Sequence, residues 1–435
     1  MGVLLTKSSN PNLSYILFKN PNSGMISKKL RKGTSFGWYG NEDTYVVYFK
    51  DSYTDISYSK NDDISFEYND LTRYNSPLFV LNVLTEYFSS TFKKIHELDV
   101  AGYENSVVLN LEIQRINLIK NMFYRTEGID ISYENLGGNN YNVTIKTMDS
   151  LNKLFNFLNV YCLFVGIIDD YWVNMNEEML KKYVKSLNEI NANYYMRYLF
   201  QLKVIVSKKL FNVVKNELEK SSDMDLELKF GSTADWRRDF VFENLSYEND
   251  ILDVGCGEGF YSLPLAKKLP DNIINGVDID ENCIRFVNSK AESRGLNNLI
   301  TYNNLTDYLN INGIENKVDI ILVEVIEHME KEESKILIKE LLKLNFGKFF
   351  ITSPVQEFNV HYDLDNSFDE KEKNGFRHPD HKWEGTVYEF TDLVLECINE
   401  VLNPRDLTYS YKHVMIGDLV DGIAPTQGII LEINN

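Results

Sequence analysis

Ile251-Leu-Asp-Val-Gly-Cys-Gly-Glu-Gly259 is an apolar strand running into glycines at 255, 257 and 259. Glycine lets the backbone turn tightly there and pass close to a ligand at the N-terminus of the helix that follows. A second acid, Asp278, ends the run Ile273-Ile-Asn-Gly-Val277, 25 residues beyond Asp253. In a nucleotide-type βαβ unit an acid so placed hydrogen-bonds ribose hydroxyls. A lone Gly-x-Gly is weak evidence, but strand, glycines, helix and acid in this order are not.

Working outward, strands near 250, 273, 300, 318 and 347 alternate with helices, the pattern of a parallel sheet. Two further strands near Ser410 and Ile429 would complete seven. The short Asp-x-Gly-x-Gly form has no third glycine in the dinucleotide spacing, and it resembles the S-adenosylmethionine site of Rossmann-like methyltransferases more than an NAD site. That resemblance makes Asp253, Gly255, Gly257, Asp278 and Asn304 the candidate cofactor residues.

Glu324-Val-Ile-Glu327-His328 follows the apolar run that starts at Val318. If the chain turns helical at Glu324, positions i, i+3 and i+4 share a face, and two carboxylates and an imidazole converge on one ion. Read alone, the run is equally an ordinary acidic first turn of a helix. A second strand, Lys348 to Pro354, leads to Phe376-Arg-His-Pro-Asp-His-Lys-Trp-Glu384, which carries two of the chain's six histidines, His378 and His381. Both segments would leave the carboxyl ends of adjacent strands, where open α/β sheets bind ligands, so a histidine of this loop can complete a set of four ligands.

Glu-x-x-Glu-His after the fourth methyltransferase strand, Arg377-His-Pro-Asp-His381 and the tail Ala424-Pro-Thr-Gln427 resemble the RNA 3′-terminal ribose 2′-O-methyltransferases. The N-terminal half, with Thr6-Lys-Ser-Ser-Asn-Pro11, Ser76-Pro-Leu-Phe79 and Asp169-Asp-Tyr-Trp172, is similar to the bacterial branch of that family. The resemblance implies Glu324, Glu327, His328 and His381 as metal ligands, with His381 catalytic in that capacity. His378 is then either the base that takes the 2′ proton or a group that supports the ligands. It also implies that the N-terminal region docks a kinase, phosphatase and ligase polypeptide and supports ligation of broken RNA such as tRNA. One departure stands out: the family reads Phe-Glu-Trp after this histidine, where this chain has Trp383-Glu-Gly385. Arg237 or Arg238, ahead of the glycine loop, is a candidate contact to cofactor or RNA.

The implied chemistry is consistent with the ligand types. Methyl transfer from a sulfonium needs an in-line attack, so cofactor and acceptor must be held in fixed geometry. A ribose hydroxyl is a poor nucleophile at neutral pH, and a bound metal lowers its pKa. Four protein ligands in an octahedral shell leave two positions, which the vicinal diol of a 3′-terminal nucleotide would fill. Mixed carboxylate and imidazole ligation suits Mn²⁺, Co²⁺ or Fe²⁺ better than Mg²⁺. The rival readings are a small-molecule O-methyltransferase, which would not need the four ligands together, and an RNA-repair scaffold with little methyl transfer.

At 435 residues the chain is too long for one core, and its 43% apolar content suffices for two or three domains. A formal charge of −19 argues against coating long nucleic acid, but not against recognising an RNA end. Lys371, Lys373, Arg377 and Lys382, against Glu372 and Asp380, give a modest local excess beside the proposed site. Cys162, Cys256, Cys283 and Cys397 form no C-x-x-C pair, so neither a disulfide framework nor a thiolate zinc site is expected. No stretch is expected to span a membrane, and the protein is expected to be cytoplasmic.

Residues 1–220 read as an α+β region of one or two subdomains. Short strands such as Thr44 to Phe49 precede a helix around Leu78 to Leu98, and Gly137-Gly-Asn-Asn140 is a hairpin turn. Leu154 to Ile168 is apolar core, and long helices run from Asn176 to Leu218. The polar stretch Glu219 to Asp225 marks a boundary, leaving 226–435 as an α/β Rossmann-like S-adenosylmethionine methyltransferase domain with a mostly parallel seven-stranded sheet. The many tyrosines and phenylalanines of the first half read as core more than as an RNA-stacking platform.

Overall fold

The computed structural model describes residues 2–51, 75–124, 126–170, 175–362, 376–405 and 407–434. Of the segments singled out above, Tyr171, Trp172, Lys371, Glu372 and Lys373 lie outside the described residues. The chain divides into two compact units, 1–222 and 223–435.

In the first unit, seven described strands form one antiparallel sheet: β1 (Gly2–Ser8), β2 (Ile26–Leu30), β3 (Gly33–Asn41), β4 (Thr44–Asp51), β5 (Asn105–Glu112), β6 (Ile129–Gly137) and β7 (Asn140–Thr147). Their order is β2-β3-β4-β1-β5-β7-β6, so β1 lies at the centre, with Leu5 opposite Val46 on one side and Val108 on the other. Tyr45, Val47 and Phe49 alternate inward, as a half-buried strand requires. The helix Leu151–Ile168 is buried along nearly its whole length. Ser150 caps it, and Asp99 accepts the N–H groups of Leu151 and Asn152 at 2.7 and 2.9 Å. It is long and apolar enough to pass for a membrane span, contrary to the expectation that no stretch would be. Since 83% of that window is buried inside the unit, it serves as core.

Two helical expectations are corrected. The segment 78–98 is not one helix but Pro77–Asn82, a π turn at Val83–Tyr87 and Ser89–Lys93. The run 176–218 is three helices, Glu177–Glu189, Tyr194–Val204 and Lys208–Leu218. Asn176, Asn193 and Ser207 each accept a backbone N–H three residues on, so each cap restarts a helix and none of the three is long. Among the described residues many of the aromatics are core: Phe123 lies within 6.3 Å of the rings of Phe157, Tyr161 and Phe164, all buried, whereas Tyr15, Phe18, Trp38 and Tyr124 are exposed.

The second unit has β8 (Leu226–Glu227), β9 (Asp250–Val254), β10 (Ile274–Val277), β11 (Leu299–Tyr302), β12 (Val318–Val323), β13 (Phe346–Pro354), β14 (Tyr409–Ile416), β15 (Leu419–Val420) and β16 (Thr426–Ile433). β8 and β15 form a small ribbon, and the rest form a seven-stranded sheet, β11-β10-β9-β12-β13-β16-β14. Pairing is parallel from β11 to β13, while β16 runs antiparallel to both its neighbours. Successive residues feed opposite faces. Leu252, Ile320, Leu322, Phe349 and Ile351 pack with the helices Lys331–Leu342 and Val387–Val401. Ile251, Ile321, Val323 and Phe350 pack with Thr233–Asn244, Ser262–Lys268 and Glu281–Ser293. Burial on both faces explains why these strands read as continuous apolar runs, each such side chain contributing about 1.5–3 kcal/mol. The strand order reverses between β9 and β12, which makes the crevice at their carboxyl ends the natural ligand site.

Candidate active site

The glycine loop leaves β9 at that crevice. Gly255 has φ +74°, and a Cβ there would lie 2.4 Å from Cγ2 of Val325. The residue is therefore glycine because of both its conformation and its close approach to the turn after β12. Gly257 (φ +51°) would point a Cβ into open space, and its N–H donates to Asp278 Oδ2 at 2.7 Å. The other oxygen of Asp278 accepts the Asp280 N–H at 2.9 Å, so this carboxylate fastens the ends of β9 and β10 together at the rim. Asp253 lies beneath, buried, accepting the Ser262 hydroxyl at the start of the next helix. Burial pushes its carboxyl up to about 6, against the opposing bonds from Ser262 and with a further push from Asp278. Asn304, beyond the end of β11, is the cap of the helix Leu305–Asn312, its amide and carbonyl both engaged by Asp307.

Beyond β12 the chain does not turn α-helical at Glu324. That residue is left-handed (φ +54°), and a 3₁₀ turn follows at Ile326–His328. A shared α-helical face therefore does not bring the three side chains together. Glu327, His328 and His381 do meet, with one ligand atom of each within 4.8 Å of the others. Glu324 stands outside this group: its Oε2 pairs with Arg237 Nη1 at 3.0 Å and its Oε1 accepts the Thr352 hydroxyl at 3.0 Å.

Glu327 is 1% exposed and its Oε2 has no hydrogen-bond partner. Burial, reinforced by the Glu324 carboxylate, raises its proton affinity well above that of an ordinary glutamate. An orphaned carboxylate beside two imidazoles fits a cation, which would complete what the protein leaves unpaired. Nδ1 of His328 faces Asp380 Oδ2 at 3.0 Å, and Nδ1 of His381 faces Glu384 Oε1 at 2.5 Å. Two carboxylates thus orient two imidazoles and leave their Nε2 atoms for an ion. Partial burial nonetheless lowers the His328 pKa, despite Asp380. Glu384 is held below the usual carboxylate range: burial opposes this, but the bonds from His381, Asn359 and the Arg377 N–H outweigh it. His378, 64% exposed, bonds Asp380 through Nδ1, with its ring 5.7 Å from that of His381.

The loop that carries the histidines is fastened to the core. The N–H of Lys382 donates to Glu327 O at 2.8 Å and the Trp383 indole to Ile326 O at 2.9 Å. Arg377 donates to Pro425 O at 2.8 Å and to Asn359 Oδ1 at 3.2 Å, and Gln427 donates to Gly385 O at 3.3 Å. The tail motif thereby anchors the loop. A Cβ at Gly385 would come within 2.7 Å of Trp383 Cζ3.

Glu384, Asp380 and Thr352 were not identified as functional from the sequence. Only Glu384, three residues after His381, carried a readable signal, an acid within reach of a candidate ligand. Arg237 meets a candidate metal ligand, whereas Arg238 pairs with Asp235 at 2.9 Å and lies over the Phe260 ring.

The parallel order, the glycine loop and the acid at the end of β10 define a Rossmann-like S-adenosylmethionine methyltransferase domain, and residues 251–344 match the family described as methyltransferase domain. Residues 3–223 match the Hen1 N-terminal domain family, and the chain belongs to the Hen1 family, bacterial branch. It is similar to chains of two solved assemblies, the Pnkp1/Rnl/Hen1 RNA repair complex (27% identity, TM-score 0.82) and a Pnkp1/Rnl/Hen1 complex (26%, 0.79). Each covers 99% of this chain and 100% of the matched one. It is also 36% identical over 109 residues to the ribosomal protein L11 methyltransferase of Dictyoglomus turgidum, covering 25% of this chain. The chain spans only about a third of the length of the curated relatives it matches.

Proposed function

We propose that this protein transfers a methyl group from S-adenosylmethionine to the 2′-hydroxyl of the 3′-terminal nucleotide of RNA. In this reading it acts in the cytoplasm at a divalent metal held by Glu324, Glu327, His328 and His381. The observation that carries the reading is the meeting of Glu327, His328 and His381 at the sheet's switch point, with a buried carboxylate oxygen left unpaired. When bound, a divalent ion supplies Lewis acidity that lowers the pKa of a ribose hydroxyl. The donor set favours Mn²⁺ or Co²⁺ over Mg²⁺.

The glycine loop and Asp278 hold the cofactor at the rim, with Gly257 leaving room for it. Asp253 and Asn304 shape the site from beneath and beside it. Glu384 and Asp380 aim the imidazoles, and His378 takes the 2′ proton as general base. Residues 1–220 support a kinase-phosphatase/ligase partner on broken RNA, a reading supported by full-length similarity to a chain of the Pnkp1/Rnl/Hen1 RNA repair complex.

The test offers labelled cofactor with RNAs ending in a free, a 2′-deoxy or a 3′-phosphorylated ribose, with and without EDTA. Label should enter the free end alone and only without chelator, and alanine at 327, 328 or 381 should abolish it. Equal labelling of the 3′-phosphorylated RNA, or full activity in excess EDTA, overturns the reading.

A further inference from the structure

Three of the four acid and histidine side chains after β12 and β13 face one another, and the fourth, Glu324, faces an arginine. The geometry is specific. Glu324 is fixed by a left-handed backbone and by the Thr352 hydroxyl, and its second oxygen is 3.0 Å from Arg237 Nη1. Both side chains are less than one-fifth exposed, so the pair is poorly screened. Arg237 rides on the helix Thr233–Asn244, which carries none of the other candidate ligands. Its remaining neighbours are the neutral groups Thr426 Oγ1, at 3.4 Å, and Tyr261, together with the Glu327 carboxylate, and its Nε has no partner. The arginine is therefore held in place chiefly by the Glu324 carboxylate, with a weaker pull from Glu327.

We propose that Arg237 is a positioning residue that stands in for the metal at Glu324, so that loading the site is an exchange of cations. The guanidinium holds the carboxylate until the divalent ion takes it. This rests on the metal-site reading above. The arginine keeps two neighbouring acids, Glu324 and Glu327, from facing each other uncompensated, and the same charge competes with the ion for Glu324. Removing the charge should therefore tighten metal binding, although the residue lies against the site and a loss of supporting contacts would ordinarily weaken it.

The experiment titrates Mn²⁺ into the full-length protein and follows free Mn²⁺ by electron paramagnetic resonance. R237Q should bind about five- to tenfold more tightly than wild type, the scale of one unit charge removed from a partly buried site. R237K should stay within about twofold of wild type, because the charge remains. R237M, which keeps most of the apolar stem, carries the same expectation as R237Q should the latter fail to fold. Unchanged or weaker binding in the neutral variants, or tightening in R237K to match, overturns the proposal. The control is H381A. If wild type shows no saturable Mn²⁺ binding, or H381A binds as well as wild type, the metal site itself is wrong. If H381A loses binding while R237Q matches wild type, only the exchange is.

Discussion

Asp253 and Asp278 belong to one motif and do different work. Asp278 sits at the rim with both oxygens on backbone N–H groups, whereas Asp253 is sealed beneath the loop with its pKa pushed up to about 6 by burial. Because the folded value lies above the unfolded one, near 4, the stabilisation from the neutral acid is complete only below pH 4 and is lost as pH rises through 6. Between pH 5 and pH 8 the wild type should lose about 1–2 kcal/mol relative to Asp253→Asn, whose side chain stays neutral. Urea denaturation at the two pH values measures this, and parallel curves would mean that Asp253 does not titrate in that window. At this scale local signals led to residues that the fold brings to one crevice, as with the glycines, the strand-end acid, and Glu327, His328 and His381, although Glu324 stands apart from the other three. Arg237 was read as a contact to cofactor or RNA and Thr352 was not read at all, because their partner, Glu324, is remote in sequence and the contact exists only once the sheet is assembled.

Among elements, strands were easier to read than helices. β9 to β13, β14 and β16 lie near the expected positions, and for the inner strands burial on both faces leaves a strong apolar signature, whereas the edge strand β14 is largely exposed. The turn after β12 was misread as α-helical. Spacing of i, i+3 and i+4 fits a helix face, but it is also met by a left-handed residue followed by one 3₁₀ turn, and hydrophobic pattern cannot tell the two apart. The glycine loop offers a sharper test of its own construction. Gly255→Ala adds strain at φ +74° to a collision with Val325, and should cost about 2–4 kcal/mol. Gly257→Ala meets no neighbour and should cost about 1–2 kcal/mol of backbone strain, while its methyl group would enter the open space that the proposed function assigns to the cofactor. Thermal melts and calorimetry with S-adenosylmethionine separate the two. Equal losses of stability would show that the approach to Val325 is not what demands glycine.

At the scale of the molecule, the composition pointed to more than one domain, and the polar stretch after Leu218 contains the point where the two units divide. Expressed separately, 1–222 should fold and bind a ligase-containing partner, and 223–435 should keep methyl transfer. Limited proteolysis, pull-down and methylation assays check each half. A folded but inactive C-terminal piece would mean that the division of labour is wrong. The N-terminal unit also has its own order of assembly. β1 occupies the middle of its sheet and needs β5, whose residues 105–112 are synthesised about 100 residues later. At bacterial translation speeds that is a wait of roughly 5–20 s, during which β2, β3 and β4 can pair locally but one edge of β1 stays bare. Folding on the ribosome is therefore gated by elongation through β5, and a pause before residue 105 prolongs the interval in which that strand can pair with the wrong chain.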